Sequence, residues 1–89
     1  MTLRHLEIFP AVCTQGSFTR AAEKLNMAQP AVSLAIRELE TFYAVRLFER
    51  MNRRVYLPAA GRNLRQYADT VLSQFRESVE VLRESGAGG

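Results

Sequence analysis

The sequence predicts a mainly α fold: three short helices, a two-stranded β-hairpin and one long final helix. Three observations predict it. Apolar residues recur at three- and four-residue spacing in three N-terminal segments and again after Pro58, as they do along the buried side of a helix. Between residues 45 and 57 this period gives way to short alternating pieces, which are typical of paired strands. A chain of 89 residues holds one small core, so these elements must share one domain.

The first helix is predicted over residues 2 to 14. Thr2 is a candidate N-cap, and Gly16 lies just beyond the last apolar position. Pro10 falls inside this helix, where its ring removes one backbone hydrogen bond. We therefore expect a kink or a distorted turn near Pro10.

The second helix is short. It follows Ser17, a candidate N-cap, and ends at Asn26, a residue type that tolerates the left-handed conformation of a helix end. Its small pair, Ala21 and Ala22, suits a position where another helix backbone approaches closely. The pattern predicts a tight helix-turn-helix pair with the third helix.

The third helix opens with Gln29 and Pro30, because proline is tolerated in a first turn where backbone donors have no partner in the helix. Its two faces differ in chemistry. The buried stripe is predicted to contain Val32, Ile36, Leu39 and Tyr43. The opposite face presents Gln29, Ser33, Leu34 and Arg37. That face is either an ordinary solvated surface or a binding surface built from forked donors and small groups.

The hairpin is predicted from strands around residues 47–49 and 55–57, with residues 51–54 between them. Two strands are unstable alone, so the hairpin must lie against the helices. Its tip would project Arg53 and Arg54 in the manner of a wing. The alternative is a charged tip whose only role is to discourage pairing with other strand edges.

The last helix is predicted over residues 59–85. At about 1.5 Å per residue, this helix is about 40 Å long. So small a body cannot cover an apolar stripe of this length, and the natural partner is the same helix of a second copy. The predicted dimer seam consists of Leu64, Ala68, Val71, Leu72, Phe75, Val79 and Leu82. Residues 86–89 are predicted to form a flexible tail.

The positive charge of the chain is concentrated in one segment. Eleven of its 12 basic residues are arginines and its net charge is +3. Residues 46–65 alone carry six arginines and one glutamate, whereas residues 1–45 balance to zero. A confined basic segment on a near-neutral body is the pattern expected of a phosphate-contacting surface, although it is also compatible with a solvated face.

Enzymatic function is poorly supported by this composition. One histidine, one cysteine and no glycine-rich phosphate loop cannot assemble a catalytic triad or a metal cluster, so no catalytic, cofactor-binding or metal-binding residue is predicted. Cys13 is interpreted as a small buried hydrophobe rather than a redox sensor. No apolar run is long enough to cross a membrane, and no secretion signal is recognised, so a cytoplasmic protein is expected.

Several segments together resemble the N-terminal signature of LysR-type transcriptional regulators, over residues 1 to about 65. A helix-turn-helix pattern alone is a weak signal, but here separate segments agree in spacing. These segments are Phe9-Pro10-Ala11-Val12, Gly16-Ser17-Phe18-Thr19-Arg20-Ala21-Ala22, Gln29-Pro30-Ala31-Val32-Ser33, Leu47-Phe48-Glu49-Arg50 and Ala60-Gly61, with Leu25, Ile36, Leu39 and Glu40 between them.

The resemblance implies a winged helix-turn-helix DNA-binding domain over 1–58 and a linker and dimerisation helix over 59–85. It implies a nucleoid-associated homodimer that reads a palindromic double-stranded site, with residues 29–37 as a recognition helix in the major groove. It also implies that any small-molecule effector acts through a domain absent from these residues. The DNA-contacting residues implied are Ser17, Thr19, Gln29, Pro30, Ala31, Ser33, Leu34, Arg37, Arg53 and Arg54.

The chain departs from the family pattern at three helix boundaries. Ala28 stands where a serine often caps the recognition helix, Ala44 takes the usual glycine position after it, and Pro58 replaces a common threonine. These departures affect local geometry and stability rather than the fold. The alternative function is a winged-helix module that dimerises or binds protein without reading DNA, and the salt dependence of duplex binding separates the two.

Overall fold

The computed structural model describes residues 1–52 and 54–88. It confirms the predicted fold class, since three helices, an antiparallel hairpin and a long last helix follow one another along the chain. The elements are α1 Leu3–Gln15, α2 Phe18–Leu25, α3 Gln29–Tyr43, β1 Glu49–Met51, β2 Arg54–Tyr56 and α4 Ala59–Gly88.

The helix ends lie where the capping residues predict them. Ser17 Oγ accepts a hydrogen bond from the Arg20 backbone N–H at 3.2 Å, which caps α2. Gly16 and Asn26 end α1 and α2 in the left-handed conformation. α1 runs through Pro10 as one uninterrupted helix, although the proline leaves the Leu6 carbonyl without its helical donor.

Ala44 ends α3 in the left-handed conformation, with φ of 56°. The Cβ of alanine makes this conformation about 1 kcal/mol less favourable than it is for glycine. The sequence therefore carries a small strain at the position where the family pattern has glycine.

The core lies where α1, α2, α3 and the first half of α4 meet. Phe9, Val12, Val32 and Leu39 are fully buried at its centre. Phe48 extends the core toward the hairpin, since its ring lies 5.1 Å from Phe9 and 5.8 Å from Phe18, between ring centroids.

The prediction that Tyr43 belongs to the buried stripe of α3 is wrong. Its side chain is 40% exposed and packs edge-on against exposed Phe42, with 5.0 Å between ring centroids. Helical spacing alone carries the stripe to Tyr43, but α3 ends there and its last turn reaches beyond the helices that cover the core. Ala35 is buried in the stripe instead.

The first strand lies two residues later than predicted, and the second strand lies one residue earlier. Leu47 and Phe48 are buried before β1 begins, and the Leu47 backbone N–H donates to Glu40 Oε2 at 2.8 Å. Arg54 lies in β2, paired with Met51, rather than at the hairpin tip. Arg53 lies outside the described residues.

One apolar stripe follows α4, and its two halves differ. In the covered half, residues 59–72, the inward side chains Leu64, Ala68 and Leu72 belong to the chain's own core. In the uncovered half, residues 73–86, every residue is exposed. The dimer seam predicted from the sequence is therefore too long, because Leu64, Ala68 and Leu72 are already buried within one copy.

The last helix shares the core of the preceding elements, because it packs against α1 and contributes Leu64, Ala68 and Leu72 to that core. A Cβ at Gly61 would overlap the Leu47 carbonyl oxygen and lie 2.7 Å from Leu57 Cδ2, so glycine is what allows this close approach. The predicted tail is helical through Gly88, since extending an existing helix is far easier than nucleating one.

Among the described residues, no helix combines the length and apolarity needed to span a bilayer.

Candidate nucleic-acid interface

The second and third helices form the frame of the candidate interface. Ala21 and Ala22 are buried between α2 and its neighbours, so two backbones approach without bulky side chains between them. Asn26 is left-handed, and the Met27 backbone N–H donates to the Ala22 carbonyl at 2.9 Å. This turn directs the first residues of α3 to the surface.

The first turn of α3 lies at that surface. Pro30 and Ala31 are exposed, and Gln29 is half-buried. As the departure from the family pattern predicts, Ala28 offers no side-chain cap. The Gln29 Nε2 group donates a hydrogen bond to Ser33 Oγ at 2.8 Å, one helical turn further on. The amide that the sequence singles out is thus held by its own helix.

The hairpin is tied to the beginning of α2. The Val55 backbone N–H donates to the Gly16 carbonyl at 3.3 Å. Beside it, the Arg50 guanidinium carbon lies 4.2 Å from the centre of the Phe18 ring, which is a cation–π contact. These contacts hold the wing against the N-terminus of α2.

The three segments meet in one cleft between the wing, α2 and α3. Its lining consists of Ser17, Phe18, Thr19, Gln29, Arg50, Arg54 and Val55. Hydroxyl, amide and guanidinium groups therefore converge from separate parts of the chain. Among the described residues, this lining has two cations and no acidic side chain, so it favours an anionic partner.

The structure brings together only part of the predicted site. Ser17, Thr19, Gln29 and Arg54 line the cleft. Pro30 and Ala31 follow Gln29 on the open surface of α3. Ser33 is joined to this group through Gln29.

Leu34 and Arg37 lie apart from the cleft, further along α3. They line a shallow depression together with Met1, Thr41 and Phe42. Both are exposed on the same helix, so they extend the surface of α3 rather than the cleft. The predicted contact at Arg53 lies outside the described residues.

Among the described cleft residues, Arg50 is the charged one that the predicted site does not include. The Leu47-Phe48-Glu49-Arg50 motif is compatible with a purely structural arginine. Its guanidinium does pack on Phe18, yet the residue remains exposed and lines the cleft beside Arg54. The signal available in the sequence was the excess of arginine over residues 46–65.

Cys13 lies in the interface between α1 and α4. Burial raises the pKa of its thiol from 9.0 to about 11, partly offset by the nearby Arg65 and reinforced by Asp69. Cys13 is half-buried against the core, and the raised pKa disfavours the reactive thiolate that a redox sensor needs. Within residues 1–52 and 54–88, no cluster of three or more potential metal-ligating side chains occurs.

A second candidate surface lies on the uncovered half of α4. Phe75 is 49% exposed and Leu82 is 69% exposed, and Val79 lies between them on the same side of the helix. Val71 extends this row at the border of the covered half. An apolar row of this kind, on a half-helix that no described residue of the chain covers, is typical of a protein–protein contact.

A family model described as bacterial regulatory helix-turn-helix protein, lysR family, matches residues 3–62. The RuBisCO operon transcriptional regulator of Allochromatium vinosum is 44% identical over 82 residues, which make up 92% of this chain and 27% of that protein. The HTH-type transcriptional regulator YofA of Bacillus subtilis (strain 168) is 46% identical over 80 residues, or 90% of this chain and 28% of that protein. The chain thus spans about a quarter of the length of these relatives.

Solved structures resemble the whole chain. The complex of the BenM DNA-binding domain (DBD) with catB site 1 DNA gives a TM-score of 0.95 at 39% identity, covering 100% of both chains. The complex of the CbnR DBD with DNA gives 0.93 at 31% identity, covering 97% of this chain and 99% of that one. Full-length CbnR, a LysR family transcriptional regulator, gives 0.90 at 32% identity over 93% of this chain and 29% of its own.

Proposed function

Because the chain belongs to the lysR family of bacterial regulatory helix-turn-helix proteins, we propose that it binds double-stranded DNA with sequence preference, as a homodimer, and regulates transcription. This is a family of regulators rather than of enzymes. A protein with this role works at the nucleoid, in the cytoplasm.

One observation carries the proposal: donors from α2, α3 and the wing converge on a cleft whose described lining includes no acidic side chain. DNA offers such a cleft two kinds of partner. Phosphate oxygens accept hydrogen bonds from hydroxyl and guanidinium groups, and base edges in the major groove accept and donate in a sequence-dependent pattern. The relatives include proteins whose solved structures contain DNA, which supports the same partner here.

The first residues of α3 are proposed to read bases. The Gln29 amide can pair with an adenine edge, and Arg37 can reach guanine or a phosphate. Pro30 and Ala31 offer exposed apolar surface to a thymine methyl group. Leu34, exposed one turn later, adds to that surface.

The flanking segments are proposed to hold the DNA backbone. Ser17 and Thr19 at the beginning of α2 face phosphates from one side of the cleft. Arg50 and Arg54 face phosphates from the wing side, and the phosphate contact of Arg53 stays a prediction from the sequence. These contacts fix orientation and add affinity without reading sequence.

The dimer is proposed to form through the uncovered half of α4, packed antiparallel against the same half of a second copy. Phe75, Val79 and Leu82 are the contacting residues, together with Val71 at the border of the covered half. Because these residues are only 39–69% exposed in one copy, burying each contributes less than the roughly 1.5–3 kcal/mol of a fully exposed side chain. Two copies joined in this way would set two recognition helices about one DNA turn, roughly 34 Å, apart. We propose that any small-molecule effector acts through a domain outside these 89 residues.

The test is the binding of purified protein to duplexes selected from a random pool, measured by fluorescence anisotropy. We expect tight binding to the selected duplex, weaker binding to random duplex, and a steep loss of affinity between about 50 and 200 mM salt. Equal, salt-insensitive binding to all duplexes would instead favour an interaction module that does not read DNA.

Gln29→Ala tests the reading residue. We expect a loss of about 1–3 kcal/mol on the selected duplex and little change on random duplex. Gln66→Ala is the matched control, because it removes the same side chain from an exposed position on α4. An equal loss on both duplexes for Gln29→Ala would contradict base reading by this residue.

A further inference from the structure

We propose that Ser33 is a positioning residue: its hydroxyl orients the Gln29 amide so that the protein prefers adenine to guanine at one base pair of each half-site. This inference rests on the proposed function, because it concerns how the DNA sequence is read. It assigns Ser33 a role through Gln29 rather than a contact of its own.

The geometry shows the two side chains joined before any partner arrives. Gln29 Nε2 lies 2.8 Å from Ser33 Oγ, which is a short N–H···O distance. The residues are four apart on α3 and therefore neighbours on one face of the helix. Both are half-buried, which shields the bond from competing water.

The hydrogen-bonding capacity that remains matches one base. A glutamine amide has two N–H donors and one carbonyl oxygen. Because one N–H is donated to Ser33 Oγ, a single N–H and the Oε1 acceptor remain. Adenine presents one acceptor, N7, and one donor, the N6 amino group, so the remaining pair is complementary to it.

The donor and acceptor that remain on the Gln29 amide do not match guanine. Its major-groove edge presents two acceptors, N7 and O6. An amide free to turn could offer both of its N–H groups to that edge. The amide held by Ser33 has only one to offer, so its Oε1 would face a second acceptor without a proton between them. Ser33 thus excludes the arrangement that guanine needs.

Holding the amide in advance also lowers the cost of binding. Glutamine loses substantial rotamer freedom when it is immobilised. A side chain that is already fixed in the free protein loses no further rotamer entropy when it binds DNA. This pre-ordering raises the affinity by about 2- to 10-fold. Loss of the Ser33 hydroxyl should therefore reduce both preference and affinity at that base pair.

The experiment is a double-mutant cycle on defined duplexes. The selected duplex is compared with versions in which each adenine–thymine pair is replaced by guanine–cytosine, for wild type, Gln29→Ala, Ser33→Ala, Ser33→Thr and the Gln29→Ala/Ser33→Ala double variant. Circular dichroism checks folding, which alanine favours at a helical position. The pair of interest is the one at which Gln29→Ala abolishes the preference for adenine.

At that pair, the preference for adenine is the affinity for the adenine duplex divided by the affinity for the guanine duplex. We expect Ser33→Ala to lower this ratio by about 3- to 10-fold. Ser33→Thr, which keeps the hydroxyl, should retain the ratio within about twofold. Adding Ser33→Ala to Gln29→Ala should change nothing further. Replacing the adenine by 7-deazaadenine, which lacks the N7 acceptor, should weaken wild type and Ser33→Thr but not Gln29→Ala.

An unchanged ratio in Ser33→Ala, or an equal loss from Ser33→Ala with and without Gln29, overturns the positioning role while leaving DNA reading intact. If wild type does not distinguish the selected duplex from random duplex, the proposed function itself fails, and the positioning role with it. The two failures therefore give different results in the same set of measurements.

Discussion

The two halves of α4 carry one apolar stripe and use it differently. Leu64, Ala68 and Leu72 in the covered half are buried against α1 and the core. Phe75 and Val79 in the uncovered half continue the stripe along the same side of the helix, yet both are exposed. Periodicity identifies an apolar face, whereas only the three-dimensional structure tells which part of it the chain covers itself.

The difference separates stability of the fold from assembly. Residues in the covered half should control the free energy of unfolding of a single copy. Residues in the uncovered half should control association of two copies, and through it the affinity for a two-part DNA site. Substitutions in the two halves should therefore have distinct signatures.

The largest effect is expected from Phe75→Glu in the uncovered half. A charge at the centre of the proposed seam should abolish dimerisation, because an unpaired charge is costly to bury. The variant should sediment as a monomer at micromolar concentration. It should also lose about 10²- to 10⁴-fold in affinity for the selected duplex, since each half-site is then bound independently.

Ser73→Glu is the control for this variant. It introduces the same charge two residues earlier, about 200° around the helix from Phe75 and away from the stripe. It should remain dimeric with normal DNA affinity. A dimeric Phe75→Glu protein would show that the seam is wrongly assigned.

Leu72→Ala tests the covered half. Removing this buried side chain should lower the free energy of unfolding by about 2–5 kcal/mol, whatever the protein concentration. Val79→Ala, its counterpart in the uncovered half, should lower the melting temperature only in proportion to lost association, so its effect should depend on protein concentration. Identical concentration dependence in the two variants would remove the distinction between the halves.

Cys13 reports on the covered half through its chemistry. With a pKa of about 11 rather than 9.0, its thiolate fraction at pH 8 is about 100-fold below that of an ordinary cysteine. Alkylation by iodoacetamide should be slower than at a cysteine placed in the uncovered half by Ser73→Cys, although by less than the thiolate fraction, because a thiolate of higher pKa is a stronger nucleophile. Similar rates at the two positions would indicate that the covered half opens readily.

The same pKa shift makes the free energy of unfolding depend on pH. The unfolded thiol ionises near pH 9.0 and the folded one near pH 11, so the unfolded state loses its proton first. The contribution of Cys13 is therefore complete below pH 9 and is lost as the pH rises toward 11.

The smallest effect on DNA affinity is expected from Arg50→Ala. Arg50 combines the two roles that the halves of α4 separate, because it packs against Phe18 and is also exposed. Loss of a phosphate contact should weaken binding to all duplexes by about tenfold. It should also reduce the slope of log affinity against log salt concentration by about one. Arg83→Ala, at an exposed position in the uncovered half, should leave both unchanged. If Arg50→Ala weakens only the selected duplex, its role is base reading instead.

Local signals in the sequence are sufficient to predict the first two helices and their ends. Ser17, Gly16 and Asn26 act at the ends because capping chemistry depends on few neighbours. Tyr43 was misplaced because its burial depends on where other helices end. The first strand begins later than predicted for a similar reason, since Leu47 and Phe48 are apolar through core packing rather than strand alternation.

The sequence predicts individual residues of the candidate site but not how they are placed relative to one another. Gln29 and Arg54 were identified by type and position, whereas their meeting in one cleft depends on the hydrogen bond between Val55 and Gly16. The bond between Gln29 and Ser33 likewise could not be read from spacing, because four-residue spacing permits a contact without requiring it.

The most direct measurement is the affinity of the protein for selected duplexes in which the distance between the two half-sites is varied. Inserting about five base pairs turns one half-site by half a helical turn, out of reach of a rigid dimer that holds its recognition helices about 34 Å apart. We predict a loss of about 10²- to 10⁴-fold in affinity for this duplex, to the level of a single half-site. Affinity that stays within about twofold of the original spacing would contradict a paired, helix-joined reader of DNA.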